Sequence, residues 1–324
     1  SWGALSATSS PWRNGRLSHP RTDARMTVVP IDVVHLGLRG VIASYWIDGP
    51  EPAIVDPGPS TSLDGLEDGL AQLGVGLPDI SHVLLTHVHL DHAGGTGHLV
   101  SRFPHLQVHV HADGAPHMAD PERLVASTRR TFGEAHDRLW GDVMPVPAER
   151  IQPWEPAERV PAPKPAPGVR AFATPGHISH HVSYLAEADG IFVAGDTLGV
   201  ILAPGAPSYP PTPPPSVDVP AWLETLHALE SVDPDAFGVS HFGIHDDFTG
   251  RLSEMRERLS ALRDRVEAAL ASGDDSDRDV YEGEIREAIS AFRPRDEVDG
   301  YFNAFSAAVD WDGMRLHLER AARA

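Results

Sequence analysis

Thr86, His87, Val88, His89, Leu90, Asp91, His92, Ala93, Gly94 and Gly95 follow one another without a break, which places four potential metal ligands within six residues. Imidazole nitrogen and carboxylate oxygen together suit zinc, iron and manganese. Packing requires neither three imidazoles nor a carboxylate at such spacing, and uncompensated they would crowd positive charge together at low pH. The stretch follows Val83, Leu84 and Leu85, a short apolar run that reads as a buried strand. The ligands then lie in the loop at the strand's end, where side chains can converge on one point. Gly94 and Gly95 let the backbone turn closely around it, and 97–103 reads as a short helix.

Three later polar residues share that placement. His177 follows the strand-like run 169–173, within Thr174, Pro175, Gly176, His177. Asp196 follows 191–194, between Gly195 and Thr197. His241 follows 236–239, between Ser240 and Phe242. A sheet whose strand ends gather at one edge would bring all seven side chains together. Asp56 also ends a run, 53–55, and by itself reads as a turn residue before Pro57 and Gly58.

The elements that must position these residues are legible as alternating short runs. Residues 27–36, 41–48, 80–85 and 107–111 read as further strands, and 182–186 pairs with 191–194 through a turn. Apolar residues at 63, 66, 70 and 73 have helical spacing. A helix is expected over 122–140. Proline density over 143–168 excludes a central strand or helix interior and marks a connector, with room for short edge strands. A second proline cluster, 204–220, is stiff and extended, and serves either as a linker or as a wall over the site. A helix follows over 220–229. Leu252, Met255, Leu259, Leu262, Val266 and Leu270 mark one helix face, and Ile285, Ala288, Ile289 and Phe292 a second before Pro294. A third helix is expected over 301–319, interrupted near Trp311, Asp312 and Gly313. These C-terminal helices read as cover for the core, with a dimer surface or a substrate-pocket wall as the alternative. The chain thus divides into an N-terminal tail or extension (1–25), a main domain (26–250) and a helical segment packed on it (251–324).

The chain of 324 residues is long enough to bury a sizeable core. It contains no cysteine, which excludes disulfides and thiolate metal sites. A formal net charge of −20 opposes binding to nucleic acid and to anionic membranes. Neither a membrane span nor the apolar core of a secretory signal is evident. A cytoplasmic protein is expected, with a small-molecule substrate and a homodimer as its partners.

The order His-x-His-x-Asp-His, then Thr-Pro-Gly-His, then Gly-Asp-Thr, then His resembles the metallo-β-lactamase superfamily over about residues 27–245. The resemblance implies an α+β protein, an αββα four-layer fold with an added C-terminal helical segment. It implies that His87, His89 and His177 hold a first metal, that Asp91, His92 and His241 hold a second, and that Asp196 bridges them. It also implies that Asp56 supports the ligand loop from behind, and that His181, beside His180, is the second histidine of a Gly-His-x-x-x-His pattern. This ligand set is similar to the glyoxalase II, lactonase and ribonuclease Z branches and differs from the β-lactamases, where a cysteine is commonly a ligand.

Two divalent ions, zinc in this reading with iron or manganese as alternatives, would lie about 3.5–4 Å apart and bring a water's pKa near 7. Asp91 would take or relay a proton. The chemistry expected is hydrolysis of a small-molecule ester, lactone or thioester. Alternatives are a mononuclear iron dioxygenase of the persulfide dioxygenase type, using His87, His177 and Asp196, and a nuclease, against which the net charge weighs. Tyr209, Trp222 and Phe242 are the candidates for lining the substrate pocket.

Overall fold

The computed structural model describes residues 27–155 and 165–323 of the chain, and among the described residues eleven short strands form two sheets. The expected tail of residues 1–25 and the middle of the first proline-dense connector lie outside the described residues. The first sheet has the order β1 (Val28–Asp32), β2 (Ala43–Ile47), β3 (Ala53–Val55), β4 (His82–Leu84), β5 (Gln107–His111), β6 (Ile151–Trp154). Its first pairings, β1 with β2 and β2 with β3, are antiparallel, and those from β3 to β6 are parallel. β6 contains Pro153 and lies at the edge, where a missing N–H is tolerated. The second sheet runs β11 (Gly243–His245), β10 (Ala236–Val239), β9 (Ile191–Val193), β8 (Val182–Ala186), β7 (Val169–Ala173). β9 and β10 are parallel and its other pairs are antiparallel.

Alternation along the strands decides what lies between the sheets. Tyr45, Ile47, Val55 and Leu84 from the first sheet pack with Val182, Tyr184 and Val193 from the second. The other faces, with Ile54, Val83 and Val108 on one side and Phe192 and Phe237 on the other, pack against helices. These are α1 (Leu63–Gln72), α2 (Leu90–Ala93), α3 (Thr96–Arg102), α4 (Ala115–Ala119), α5 (Glu122–Phe132), α6 (His136–Trp140), α7 (Val219–Ala228), α8 (Phe248–Ser272), α9 (Asp277–Ser290), α10 (Arg295–Phe302) and α11 (Ala307–Ala321). The result is the αββα sandwich with a C-terminal helical layer.

Two buried tyrosines tie the sheets together beside the site. The Tyr45 hydroxyl donates to the carbonyl of Val239 at 2.6 Å, and the Tyr184 hydroxyl to that of Leu85 at 2.7 Å. Each carbonyl lies just upstream of a ligand loop. A buried hydroxyl needs a partner, so satisfying these two also fixes where the loops begin.

Three expectations need correction. The single helix over 122–140 is two, α5 and α6, because Gly133 turns with φ 53° between them. β11, not anticipated, is only three residues long and contains a glycine, too short to show alternation. The C-terminal break lies between α10 and α11, not at Gly313, which is inside α11. A Cβ on Gly313 would stand 1.8 Å from the carbonyl oxygen of Thr212. That glycine marks a close approach of helix and backbone rather than a helix end.

Candidate metal centre

The seven residues expected to converge do so. His87 and His89 lie in the loop after β4, and Asp91 and His92 sit on the single turn α2. His177 follows β7, Asp196 follows β9, and His241 lies between β10 and β11. Their ligand atoms form overlapping groups: His87, His89 and His177; His87, His92 and Asp196; Asp91, His92 and His241. His89 Nδ1 is 2.8 Å from His87 Nε2 and 2.9 Å from His177 Nε2. Asp91 Oδ2 is 3.3 Å from His241 Nε2 and 3.5 Å from His92 Nε2. Asp196 Oδ2 stands between the two ends, 3.3 Å from His177 Nε2 and 3.4 Å from His92 Nε2.

Hydrogen bonds behind the cluster set the tautomers. The His177 Nδ1–H donates to the Pro211 carbonyl at 2.8 Å, and the His241 Nδ1–H to that of Val41 at 2.9 Å. The His92 Nδ1–H donates to Asp56 Oδ2 at 2.8 Å. The Thr86 hydroxyl gives its proton to Asp56 at 2.6 Å, so it accepts from His87 Nδ1 at 3.0 Å. Each of these four imidazoles therefore turns Nε2 toward the centre, the arrangement that orients metal-binding histidine. Asp56 also accepts the Thr86 N–H at 2.8 Å, with φ 50° at its own backbone. It holds the start of the ligand loop and the His92 ring together, more than its local reading as a turn residue required.

His181 works at the other end. Its Nε2 accepts the Asp196 N–H at 3.1 Å, so its Nδ1 carries the proton, facing the Thr174 and Thr197 hydroxyls at 2.8 and 3.1 Å. Gly195, with φ 60°, permits this contact, because a Cβ there would lie 2.6 Å from His181 Nε2. His180, its neighbour, instead lines the cavity over the centre.

Burial and mutual repulsion keep the His87 imidazole neutral far below the usual range, and burial brings His89 down to about 3. Burial also opposes charge on His92, but the carboxylates of Asp196, Asp91 and Asp56 outweigh it and hold the ring protonated well above its ordinary value. Burial would neutralise Asp91 and Asp196 as well. The facing imidazoles override it, and both stay ionised. His92 Nε2 and Asp196 Oδ1 are buried and have no hydrogen-bond partner. Unpartnered buried polar atoms are costly, and here both belong to residues of the cluster. Nitrogen and oxygen donors in three overlapping triads, joined through His87 and His92, fit divalent cations.

A cavity of about 340 Å³ opens over the centre. Asp91, Asp196 and His241 form part of its floor. Tyr209 lines it, and its hydroxyl donates to that of Tyr301 at 3.1 Å. Trp222 and Phe242 do not line it, contrary to expectation. Trp222 is fully buried behind His177, edge-on to that ring at 5.8 Å, with its N–H donated to the Thr197 carbonyl. Phe242 packs in the core between the sheets. An aromatic residue beside a ligand can serve the core as readily as the pocket, and its position in the chain does not distinguish the two. The second proline cluster is a wall: Pro211, Pro213, Pro214 and Pro215 line the cavity. The C-terminal segment, read first as cover for the core, also walls the cavity: Tyr301 and Asp310 from its helices and Phe305 from the turn between α10 and α11 face it, and Phe305 packs on His241 at 5.0 Å between ring centres.

The Metallo-beta-lactamase superfamily model matches residues 37–241. Among curated proteins, the chain is 26% identical over 230 residues to the lactamase-like protein notP of Aspergillus sp. (strain MF297-2), covering 69% of this chain and 57% of that one. It is 27% identical over 204 residues to the thioesterase pkgB of Emericella nidulans, covering 59% and 49%. It is 28% identical over 154 residues to a hydroxyacylglutathione hydrolase of Cupriavidus metallidurans, covering 47% and 46%. The chain therefore spans about half the length of the curated relatives it matches. A metallo-beta-lactamase family protein from Thermus thermophilus has the same fold, with TM-score 0.62 and 22% identity over 92% of this chain and 93% of that one. The sequence match reaches from the first 3₁₀ turn to the last histidine of the cluster, and on that extent the chain belongs to the metallo-beta-lactamase superfamily.

Proposed function

We propose that the chain is a hydrolase with a dinuclear zinc centre that cleaves a small-molecule ester, lactone or thioester. One observation carries the reading: the triads His87, His89, His177 and Asp91, His92, His241 are joined through a third, His87, His92 and Asp196, beneath a cavity with Asp91, Asp196 and His241 in its floor. His87, His89 and His177 would hold one ion, Asp91, His92 and His241 the other, with Asp196 between them. When bound, the ions supply Lewis acidity and lower the pKa of water toward neutrality.

The chain's own residues do the rest. Asp56 and His181 orient His92 and Asp196 from behind the centre. Asp91 faces His92 and His241 with Oδ2, lines the cavity, and is placed to take a proton from water or hand one to the leaving group. Pro211, through the His177 contact, makes the wall and the ligand one unit. Apolar residues on the remaining walls, among them Leu90, Ile178, Trp140 and Phe305, exclude water and suit an apolar acyl or alkyl group. Similarity to the thioesterase and to the hydroxyacylglutathione hydrolase supports the thioester member of this substrate class.

The test is elemental analysis of the purified protein together with a hydrolysis panel of lactones, thioesters, aryl esters and phosphodiesters. About two zinc ions per chain and cleavage of an ester-class substrate are expected. A single iron with oxygen uptake on a persulfide would establish the dioxygenase chemistry instead.

A further inference from the structure

α5 is an unusual wall for this cavity. None of its residues is buried, yet Leu124, Ser127, Thr128 and Thr131 from it face the cavity together with Arg123 and Arg130. The two arginines are seven residues apart, two turns and nearly one face, about 10 Å along the axis. Side chains of that length can converge over Ser127. Arg129, their neighbour on the other face, is tied to Asp137 at 2.6 Å. Among the described residues neither Arg123 nor Arg130 forms an ion pair, although acidic groups outnumber Lys and Arg 46 to 26 in the chain. Opposite charges are thus plentiful, and the cavity is where these two guanidinium groups are left without them.

A second observation lies on the facing loop. His180 lines the same cavity, is 5% exposed, and its Nε2 has no hydrogen-bond partner. The carboxylates that line the cavity are elsewhere. Asp91 and Asp196 belong to the metal centre, and Asp310 is held by the Thr212 N–H at 2.7 Å. Cationic and acidic walls are therefore separate, with apolar surface on Leu124 and Phe132 beside the arginines.

We infer that the α5 wall is an anion subsite, in which Arg123 and Arg130 hold a carboxylate or phosphate at the tail of an ester or thioester while its carbonyl lies at the metal centre. The inference rests on the hydrolase reading for the position of the carbonyl, but the subsite is tested by binding alone. Guanidinium groups match both anions in bidentate geometry. His180 supplies a further polar contact, and the apolar surface takes the chain between the two ends of the substrate.

The experiment measures calorimetric affinity of the zinc-loaded full chain for three thioethers without an ester or thioester carbonyl: 3-(hexylthio)propanoate, 3-(hexylthio)propyl phosphate and the neutral alcohol 3-(hexylthio)propan-1-ol. Both anions should bind at least fivefold more tightly than the alcohol, and the tighter of the two identifies which anion the subsite serves. Arg123→Ala with Arg130→Ala should remove the advantage while leaving affinity for the alcohol within twofold, which also shows that the variant is folded. Replacing both by Glu should make the alcohol the better ligand. Equal binding of all three by the parent overturns the subsite. So does an anion preference unchanged in the variants, because it would place the anion on the metal centre. If the thioethers behave as stated and no ester or thioester is cleaved, the hydrolase reading fails and the subsite stands.

Discussion

His181 never reaches the cluster's centre, yet it fixes the backbone of Asp196, the residue that stands between the two ends of the cluster. Its Nε2 accepts the Asp196 N–H, and its Nδ1–H faces two hydroxyls that hold the ring in that tautomer. Replacing it by Ala leaves the buried Asp196 N–H unpaired and frees the carboxylate to turn. Metal affinity should fall about 10–100-fold, the range for residues that orient ligands, with kcat reduced more than KM is raised. Chelator competition and steady-state kinetics check this, and unchanged metal retention would refute the positioning role. Asp56→Asn makes a parallel case. The amide keeps the shape but removes the charge facing the His92 Nδ1–H and one of the acceptors used by Thr86. A similar loss of affinity is expected, concentrated in the ion held by Asp91, His92 and His241, and seen as one retained zinc instead of two.

At the scale of elements, the interlock of α11 with the second proline cluster decides how the pocket wall is held. Gly313 admits the Thr212 carbonyl, and the Asp310 carboxylate and carbonyl take the Thr212 N–H and hydroxyl, both at 2.7 Å. Pro211, one residue upstream, receives the His177 Nδ1–H. A change in α11 is thereby passed to a ligand through two adjacent residues, Thr212 and Pro211. Gly313→Ala would gain up to about 1 kcal/mol in helix propensity, but its methyl would meet rigid backbone, and overpacking costs about 1–3 kcal/mol. A lower melting temperature and lower kcat/KM are expected. Gly283→Ala in α9 is the control. Gly283 is exposed and no atom would lie within 4 Å of the new Cβ, so that variant should gain up to about 1 kcal/mol and keep full activity. This interlock also marks the limit of what the sequence discloses. His87, Asp196 and His241 were legible because each stands at a strand end among glycine or serine, a local pattern. The contact between residues 310 and 212 spans ninety-eight positions and carries no local pattern at all. Tyr301 and Phe305 were hidden for the same reason, since in the sequence they read only as the apolar face of a helix. Trp222 and Phe242 misled in the opposite direction, because adjacency to a ligand places a residue near the site without saying on which side of the backbone it packs.

Over the whole molecule, the buried imidazoles make stability depend on pH in a way that metal should abolish. In the metal-free protein burial holds His87, His89, His177 and His181 below their ordinary value of 6.5, His89 at about 3. Below pH 6.5 the unfolded chain binds protons at these positions while the folded chain does not, so stability falls on acidification, by up to about 1.4 kcal/mol per pH unit for each group fully engaged. His35 and His180, each lowered to about 4 by burial, act in the same direction. Asp310 and Asp32, both raised by burial, act oppositely from pH 3.8 upward but are two groups against several. His92 has the reverse sign. Its folded value lies well above 6.5, so its contribution is complete below pH 6.5 and is lost as pH rises through that value. The metal-free protein should therefore be most stable near pH 6.5 and lose stability on both sides. Zinc requires His92 to release its proton, so binding at pH 7 should expel protons into buffer, and the alkaline decline due to His92 should vanish in the loaded protein. Urea unfolding of metal-free and zinc-loaded protein across pH 4.5–9, with calorimetry in buffers of different ionisation enthalpy, reads both effects. Proton uptake instead of release on zinc binding would mean that His92 does not hold its proton among Asp56, Asp91 and Asp196, and the charge arrangement assigned to the centre would fall with it.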